Sequence, residues 1–335
     1  MKLGLSAASY RWICYPWLRY DRPEYRLSER RIPYFCSVQP PADLQPPIDW
    51  ILARVEVHGL ASVYMESGWL EDEEGAAAFR AKLEERGLQL LAGTEVNLAA
   101  SAQGWGAETY KSEESSAWGP RYDLGREGSG WRGGSCYAQV IRAMELAAAA
   151  GARIFNLVHG EPGLHNRFTK DPPLGAQLEN IIRNMQSLLP VAEALGLVLT
   201  NESHMDYRVA DYLQVLETID SPWLRHTFDF ANSIGVVEDP LEAVRAIAPY
   251  TVATHIKDMY VQPTTTMGEP AFYHAPIGSG VVPIEQMLDV LQTSVPNPEE
   301  LHHYVEVCTL PQYDAEEWLE ESLNWLRTSC TRFWS

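Results

Sequence analysis

Apolar positions recur along the chain in one repeated unit: a stretch with helical spacing, a glycine, then a short apolar run of strand length. From Pro47 to His58, Ile48, Ile51, Leu52 and Val55 fall on one helical face, Gly59 follows, and LASVYMES reads as a strand. Gly87 holds the same place before LQLLAGTEV. Val140, Ile141 and Met144 lead to Gly151 and ARIFNLVHG, and Leu178, Ile181, Ile182, Met185 and Leu189 lead to Gly196 and LVLTNES. A glycine just past the last turn adopts the left-handed backbone that ends a helix without a clash from Cβ. The unit continues through Val209, Tyr212, Leu213 and Leu216 to a strand at 225–230, through DPLEAVRAIA to VATHIKD, and through PIEQMLDVL to HYVEV. A last helix is predicted in DAEEWLEESLNWL.

Strands are thus expected at 3–8, 61–66, 89–96, 152–159, 197–202, 225–230, 252–257 and 304–307, each followed by a helix or by a loop leading to one. Eight such units predict an α/β protein with a single (β/α)8 TIM barrel over residues 1–335. An open doubly wound sheet would ordinarily carry a glycine-rich phosphate turn after its first strand, and LSAASYRW has none. Two connections exceed ordinary loop length: residues 10–46 between the first strand and first helix, and residues 98–135 between the third strand and its helix. Both are expected to cover an active site. The first holds Tyr10, Trp12, Tyr15, Trp17 and Tyr20, and the second Trp105, Tyr110, Trp118, Tyr122 and Trp131. Such rings either stack on a sugar or an aromatic aglycone, with Trp105 a candidate substrate contact, or bury the loops against the barrel rim.

Composition narrows the partners. A net charge of −19, from 26 basic and 45 acidic residues, repels phosphate backbones and offers no basic patch to nucleic acid or an anionic membrane. Cys14, Cys36, Cys136, Cys308 and Cys330 are odd in number and lack a CxxC pair, the usage of a reducing compartment, so a cytoplasmic location is expected. MKLGLSAASYRW reads as a first strand and not a signal peptide, and no apolar stretch reaches bilayer length.

In a TIM barrel the chemistry sits at the C-terminal ends of the strands, and four residues fall there in the last four strands: Glu202, Asp229, His255 and Glu306. Three carboxylates and an imidazole are an oxygen-rich set suited to one divalent ion, Mn²⁺, Mg²⁺, Co²⁺ or Zn²⁺, with positions left for substrate oxygens. Glu66 and Glu95 also stand at strand ends and are left outside this set. His159, Lys257, Asn232 and Asp258 lie close in sequence to strand ends and are candidates for substrate contact or for orienting the ligands. The loop FYHAPIGSGVVP is expected to bring His274 and the amides of Gly278 and Gly280 toward a substrate, and no lysine or arginine cluster argues for a phosphate there. His302 and His303 are expected on the surface at the other end of the last strand.

The run from NESHMDYRVADYLQVLETIDSP through HTFDFAN, EDPLEAVRAIAPY and THIKD resembles the xylose-isomerase-like TIM-barrel superfamily, most specifically over residues 195–310. That superfamily holds sugar isomerases, epimerases, inosose dehydratases and endonuclease IV. The resemblance implies that Glu202, Asp229, His255 and Glu306 bind one catalytic divalent ion, Mn²⁺ foremost. Ketose 3-epimerases carry a histidine three residues after the metal aspartate and an arginine beyond the metal histidine. Here those stretches read Asp229-Phe-Ala-Asn232 and His255-Ile-Lys-Asp258-Met-Tyr. Endonuclease IV needs a histidine-rich three-metal set, which is absent. The His-x-Lys-Asp element is similar to that of inosose dehydratases and of lyases acting on oxidised glycosides, including C-glycoside deglycosidases. In the latter a histidine two residues after the first metal glutamate serves as base, and Glu202-Ser-His204 matches that spacing.

The reaction so implied is proton abstraction next to the carbonyl of an oxo-sugar, with His204 as base and Lys257 or His159 assisting the leaving group. Elimination makes the protein a lyase or dehydratase. In the alternative, an isomerase or epimerase working through the same enediolate, Glu202 and Glu306 act as opposed acid and base. The substrate is expected to be an unphosphorylated sugar or glycoside. The resemblance further implies a homo-oligomer and, in the C-glycoside branch, a small accessory subunit.

Overall fold

The structure is a computed structural model that describes residues 1–10, 37, 48–66, 69–70, 72–106, 137–159, 165–263, 270–309 and 313–334. The strands are β1 (Lys2–Ser6), β2 (Ser62–Glu66), β3 (Gln89–Val96), β4 (Ile154–His159), β5 (Val198–Glu202), β6 (Leu224–Asp229), β7 (Thr251–Ile256), β8 (Asp258–Pro263), β9 (Pro270–Ala275) and β10 (His302–Val305). Eight of them close into a barrel in the order β1-β10-β7-β6-β5-β4-β3-β2, while β8 and β9 form an antiparallel pair of their own. The helices among the described residues are α1 (Ile48–Val57), α2 (Glu73–Arg86), α3 (Ala102–Trp105), α4 (Tyr137–Ala149), α5 (Leu174–Leu195), α6 (Val209–Ile219), α7 (Asn232–Gly235), α8 (Pro240–Ile247), α9 (Ile284–Ser294) and α10 (Ala315–Ser329). This is the (β/α)8 order that the repeated unit predicts.

Local chemistry sets the helix ends. Asp72 accepts the amide of Gly75 at the start of α2, and Asp239 accepts those of Leu241 and Glu242 at the start of α8, where Pro240 takes the first helical position. Gly87 and Gly196 close α2 and α5 at φ of 64° and 68°.

The chain packs as two compact units, Met1–Ala61 with Phe228–Ser335, and Ser62–Thr227. In the first, β10 lies between β1 and β7 in parallel register, with Tyr304 level with Gly4 and His255. The Ser9 hydroxyl donates to Val305 O and accepts from Val307 N, which fixes the chain just past the end of β10. In the second unit, β2, β3, β4 and β5 pair in parallel. A Cβ on Gly93 of β3 would stand 2.8 Å from Asn156 O and 2.9 Å from the Tyr64 hydroxyl, so glycine is what admits the Tyr64 ring here.

Two expectations are corrected. His302 and His303 are not surface residues: both belong to β10 and are buried, His303 with Nδ1 2.6 Å from Thr254 Oγ1 and its ring against Phe230 and Trp334. A neutral imidazole can be buried when its ring nitrogens find partners. The stretch after the seventh strand is not one loop, because Asp258–Pro263 and Pro270–Ala275 pair as a hairpin with His274 opposite Met259. Of the aromatics expected in the two long connections, Trp12, Tyr15, Trp17, Tyr20, Tyr110, Trp118, Tyr122 and Trp131 lie outside the described residues. Tyr10 and Trp105 are buried, Tyr10 donating to Glu316 with its ring on Trp50.

Burial pushes His302 down to about 4 and His303 and His226 to about 3. Each folded-state value lies below the unfolded one near 6.5, so the unfolded chain binds the extra protons and stability falls as pH drops below about 6.5. Each ring alone contributes about 1.4 kcal/mol of destabilisation per pH unit in that window. Urea unfolding at pH 7.5 and at pH 5 is expected to show a loss of several kcal/mol.

Candidate metal centre

Each expected ligand reaches the site from a strand terminus. Glu202 ends β5, Asp229 ends β6, His255 is the penultimate residue of β7, and Glu306 follows β10. One ligand atom from each of Glu202, Asp229 and His255 lies within 4.8 Å of the other two, and all three side chains are buried. Glu306 is not one of that mutually close trio, but its Oε2 stands 3.5 Å from His255 Nδ1, which is itself 3.9 Å from Asp229 Oδ2.

The surroundings aim the carboxylates. Asn156, in the middle of β4, donates from Nδ2 to Glu202 Oε2 at 2.6 Å, and its Oδ1 accepts from Thr200, whose hydroxyl accepts from Thr227. Three residues inside the strands thus orient one carboxylate. Asp229 Oδ1 accepts the amides of Ala231 and Asn232. Glu306 Oε2 accepts the Ser6 hydroxyl at 2.8 Å, and the Cys308 thiol donates to Oε1 at 3.4 Å.

Lys257 follows β7 and is buried, with Nζ 2.6 Å from Asp229 Oδ2 and 2.7 Å from Glu306 Oε1. Burial alone would raise the Glu306 carboxyl; Lys257 and His255 outweigh it and hold the group well below the usual carboxylate range. The sequence offers Lys257 as a residue near a strand end that assists the leaving group; here its ammonium also bridges two expected ligands.

The other expected site residues divide. His204, a quarter exposed, sets Nδ1 3.4 Å from Oδ2 of the fully buried Asp206, a residue that sequence reasoning passed over. Asn232 opens α7 fully buried. His159 ends β4 with its side chain outside the described residues, and His274 lies in β9. Asp258 is not held out to a substrate: its carboxylate accepts the amides of Met259, Gly278, Gly280 and Val282 and so fixes the turn before α9. The two glycines serve that turn, since a Cβ on Gly280 would stand 2.1 Å from Asp258 Oδ1 and one on Gly278 2.3 Å from the Trp325 ring. Trp105 is likewise taken up by packing, its indole N–H donating to Ser187 Oγ at 3.0 Å and its ring meeting Tyr137 edge-on. Asn156 and Asp206 were missed for different reasons: a lone asparagine in an apolar strand is itself a signal, whereas Asp206 stands past the end of its strand.

Two buried carboxylates and an imidazole so close together are costly unless a cation or proton offsets them, and they match the donor types of a divalent site. The donor set therefore fits a metal ion. The family model of the xylose isomerase-like TIM barrel matches residues 53–329. The chain belongs to that family. Within the xylose isomerase-like barrels, a curated relative is the 3-oxo-isoapionate decarboxylase of Pectobacterium atrosepticum, 28% identical over 151 residues that cover 43% of this chain and 54% of the relative. The chain spans about half or less of the length of the curated relatives it matches. Among solved structures, the 3-keto-D-glucoside 4-epimerase YcjR of E. coli superposes with a TM-score of 0.62 at 15% identity, covering 98% of this chain and 99% of that one. The IolI protein, solved with a zinc atom, gives 0.60 at 12% identity with both chains fully covered. At these identities the likeness is one of fold.

Proposed function

We propose that this protein is a divalent-metal-dependent enzyme that removes a proton next to the carbonyl of an oxo-sugar or glycoside and then eliminates a β-leaving group. The observation that carries the reading is the buried trio Glu202, Asp229 and His255, with Glu306 beside it and His204 two residues beyond Glu202. The names of two relatives add to it: one acts on a 3-oxo and the other on a 3-keto compound, in which a carbonyl acidifies the neighbouring C–H. A bound divalent ion, Mn²⁺ foremost for this oxygen-rich set, would supply Lewis acidity at the carbonyl. Glu202, Asp229, His255 and Glu306 would hold it.

The chain's own groups do the rest. His204 takes the α-proton; the C–H electrons form the new double bond as the bond to the β-leaving group breaks. Lys257 gives that group its proton and keeps Asp229 and Glu306 oriented. Asn232, His159 and His274 remain proposed contacts for substrate hydroxyls. The acidic charge and the cysteine usage fit a small neutral substrate and a cytoplasmic setting, and a homo-oligomer, with a small accessory subunit in the deglycosidase branch, completes the proposal.

The fold likeness to the keto-glucoside epimerase favours one second reading, a sugar isomerase or epimerase sharing the same proton abstraction. Incubation with Mn²⁺ and a panel of 3-oxo-glucosides and 3-oxo sugar acids in D₂O separates the two. An unsaturated sugar with a released aglycone or water supports elimination; an inverted or isomerised product with deuterium at one carbon supports the second reading. Release of CO₂ from a 3-oxo acid without either product would contradict both.

A further inference from the structure

We propose that Asp206 is a positioning residue for His204: its buried carboxylate holds the imidazole as the Nδ1–H tautomer and so places the lone pair on Nε2. The inference rests on the reading of His204 as the base and gives that base an orienting partner.

Five aspartates are buried among the described residues: Asp206, Asp211, Asp229, Asp258 and Asp314. Four have evident work within the fold. Asp258 accepts four backbone amides, Asp211 accepts the Arg208 amide and pairs with Arg167, Asp229 accepts two amides and forms an ion pair with the Lys257 ammonium, and Asp314 accepts the amides of Ser37 and Glu316. Asp206 differs. Its side chain is fully buried, neither of its oxygens accepts a hydrogen bond among the described residues, and its ionic neighbour is the His204 ring. A carboxylate taken out of water with no donor costs several kcal/mol, and a carboxylate in that state is the acceptor an imidazole N–H would find.

The backbone brings the two side chains together independently of any bond between them. The His204 amide donates to the Tyr212 hydroxyl at 3.2 Å, and Tyr212 is anchored on α6 with its ring against His226. At the other end the Asp206 carbonyl accepts the Arg167 amide at 2.8 Å. The turn Glu202–Asp206 is thereby pinned on both sides, with His204 Nδ1 held 3.4 Å from Asp206 Oδ2. The other groups near Asp206 are Glu202, Tyr207 and Tyr212; the Tyr207 hydroxyl is spent as a donor on Gln177 Oε1 and that of Tyr212 accepts from His204. A base held by a buried orienting carboxylate is a recurrent arrangement because it selects one tautomer and stabilises the imidazolium formed after proton transfer.

Burial raises the Asp206 carboxyl, while His204 draws it down. This frames the competing possibility: a protonated Asp206 would donate to Nδ1 and force the proton of the ring onto Nε2. The two tautomers are distinguished directly. Full-length protein labelled with ¹⁵N-histidine and loaded with diamagnetic Mg²⁺ is examined by long-range ¹H–¹⁵N correlation at a pH where the rings are neutral, and the His204 signals are assigned by their loss in His204→Gln. The wild type is expected to show Nδ1 protonated and Nε2 bare, and Asp206→Asn to lose that preference. An Nε2–H tautomer in the wild type overturns the proposal, as does an unchanged tautomer in Asp206→Asn. If the variant does not fold, the wild-type spectrum alone decides. Failure of the base reading would instead appear as unchanged turnover in His204→Ala, which the tautomer measurement does not touch.

Discussion

Metal-free Lys257→Met is expected to lose about 3–5 kcal/mol of unfolding free energy, the cost of leaving buried charges without their partner. The Lys257 ammonium lies 2.6 Å from Asp229 and 2.7 Å from Glu306, and all three side chains are less than a tenth exposed. Methionine keeps most of the length and apolar stem but deletes the charge, so two carboxylates face each other and His255 with no lysine between them. Excess Mn²⁺ is expected to return much of the loss, because a divalent ion offsets the same carboxylates. Urea unfolding in EDTA and in Mn²⁺ measures both effects, and a variant as stable as the wild type in EDTA would show that the bridge contributes nothing.

His204→Ala is expected to lower turnover on the substrate identified in the D₂O panel by about 10²–10⁴-fold, the usual contribution of a positioned general base. Metal affinity should be unchanged, since His204 stands outside the Glu202, Asp229 and His255 trio. That combination separates a base from a ligand: loss of turnover with loss of metal would make His204 part of the binding set, and retention of both would remove it from the chemistry.

The barrel and the positions of the ligands were legible in the chain because both follow from periodicity. Helical spacing, a glycine and an apolar run repeat, and a strand with Glu202, Asp229 or His255 at or next to its end delivers that residue to the C-terminal rim. What escaped has physical causes. The β8–β9 hairpin reads as loop because its strands expose Val261, Phe272 and Tyr273 and follow β7 with a single residue between. His302 and His303 are expected ahead of a last strand beginning at 304, whereas β10 begins at His302 and all four of its residues are buried. The Lys257 bridge and the His204–Asp206 pair depend on which way side chains turn beyond a strand's end, and periodicity carries no information there. Asp258 and Trp105 were candidates because charged and aromatic residues near a sugar site often meet substrate. Each is instead used within the fold, by four backbone amides and by Ser187.

Glu202, Asp229 and His255 are proposed above to hold a divalent ion. Titration of Mn²⁺ into metal-stripped protein, followed by calorimetry and by elemental analysis after desalting, tests it most directly when wild type and Asp229→Ala are run side by side. One ion per wild-type chain is expected, with an affinity lowered about a thousandfold, or about 4 kcal/mol, in Asp229→Ala. Equal stoichiometry and affinity in the two proteins would contradict it.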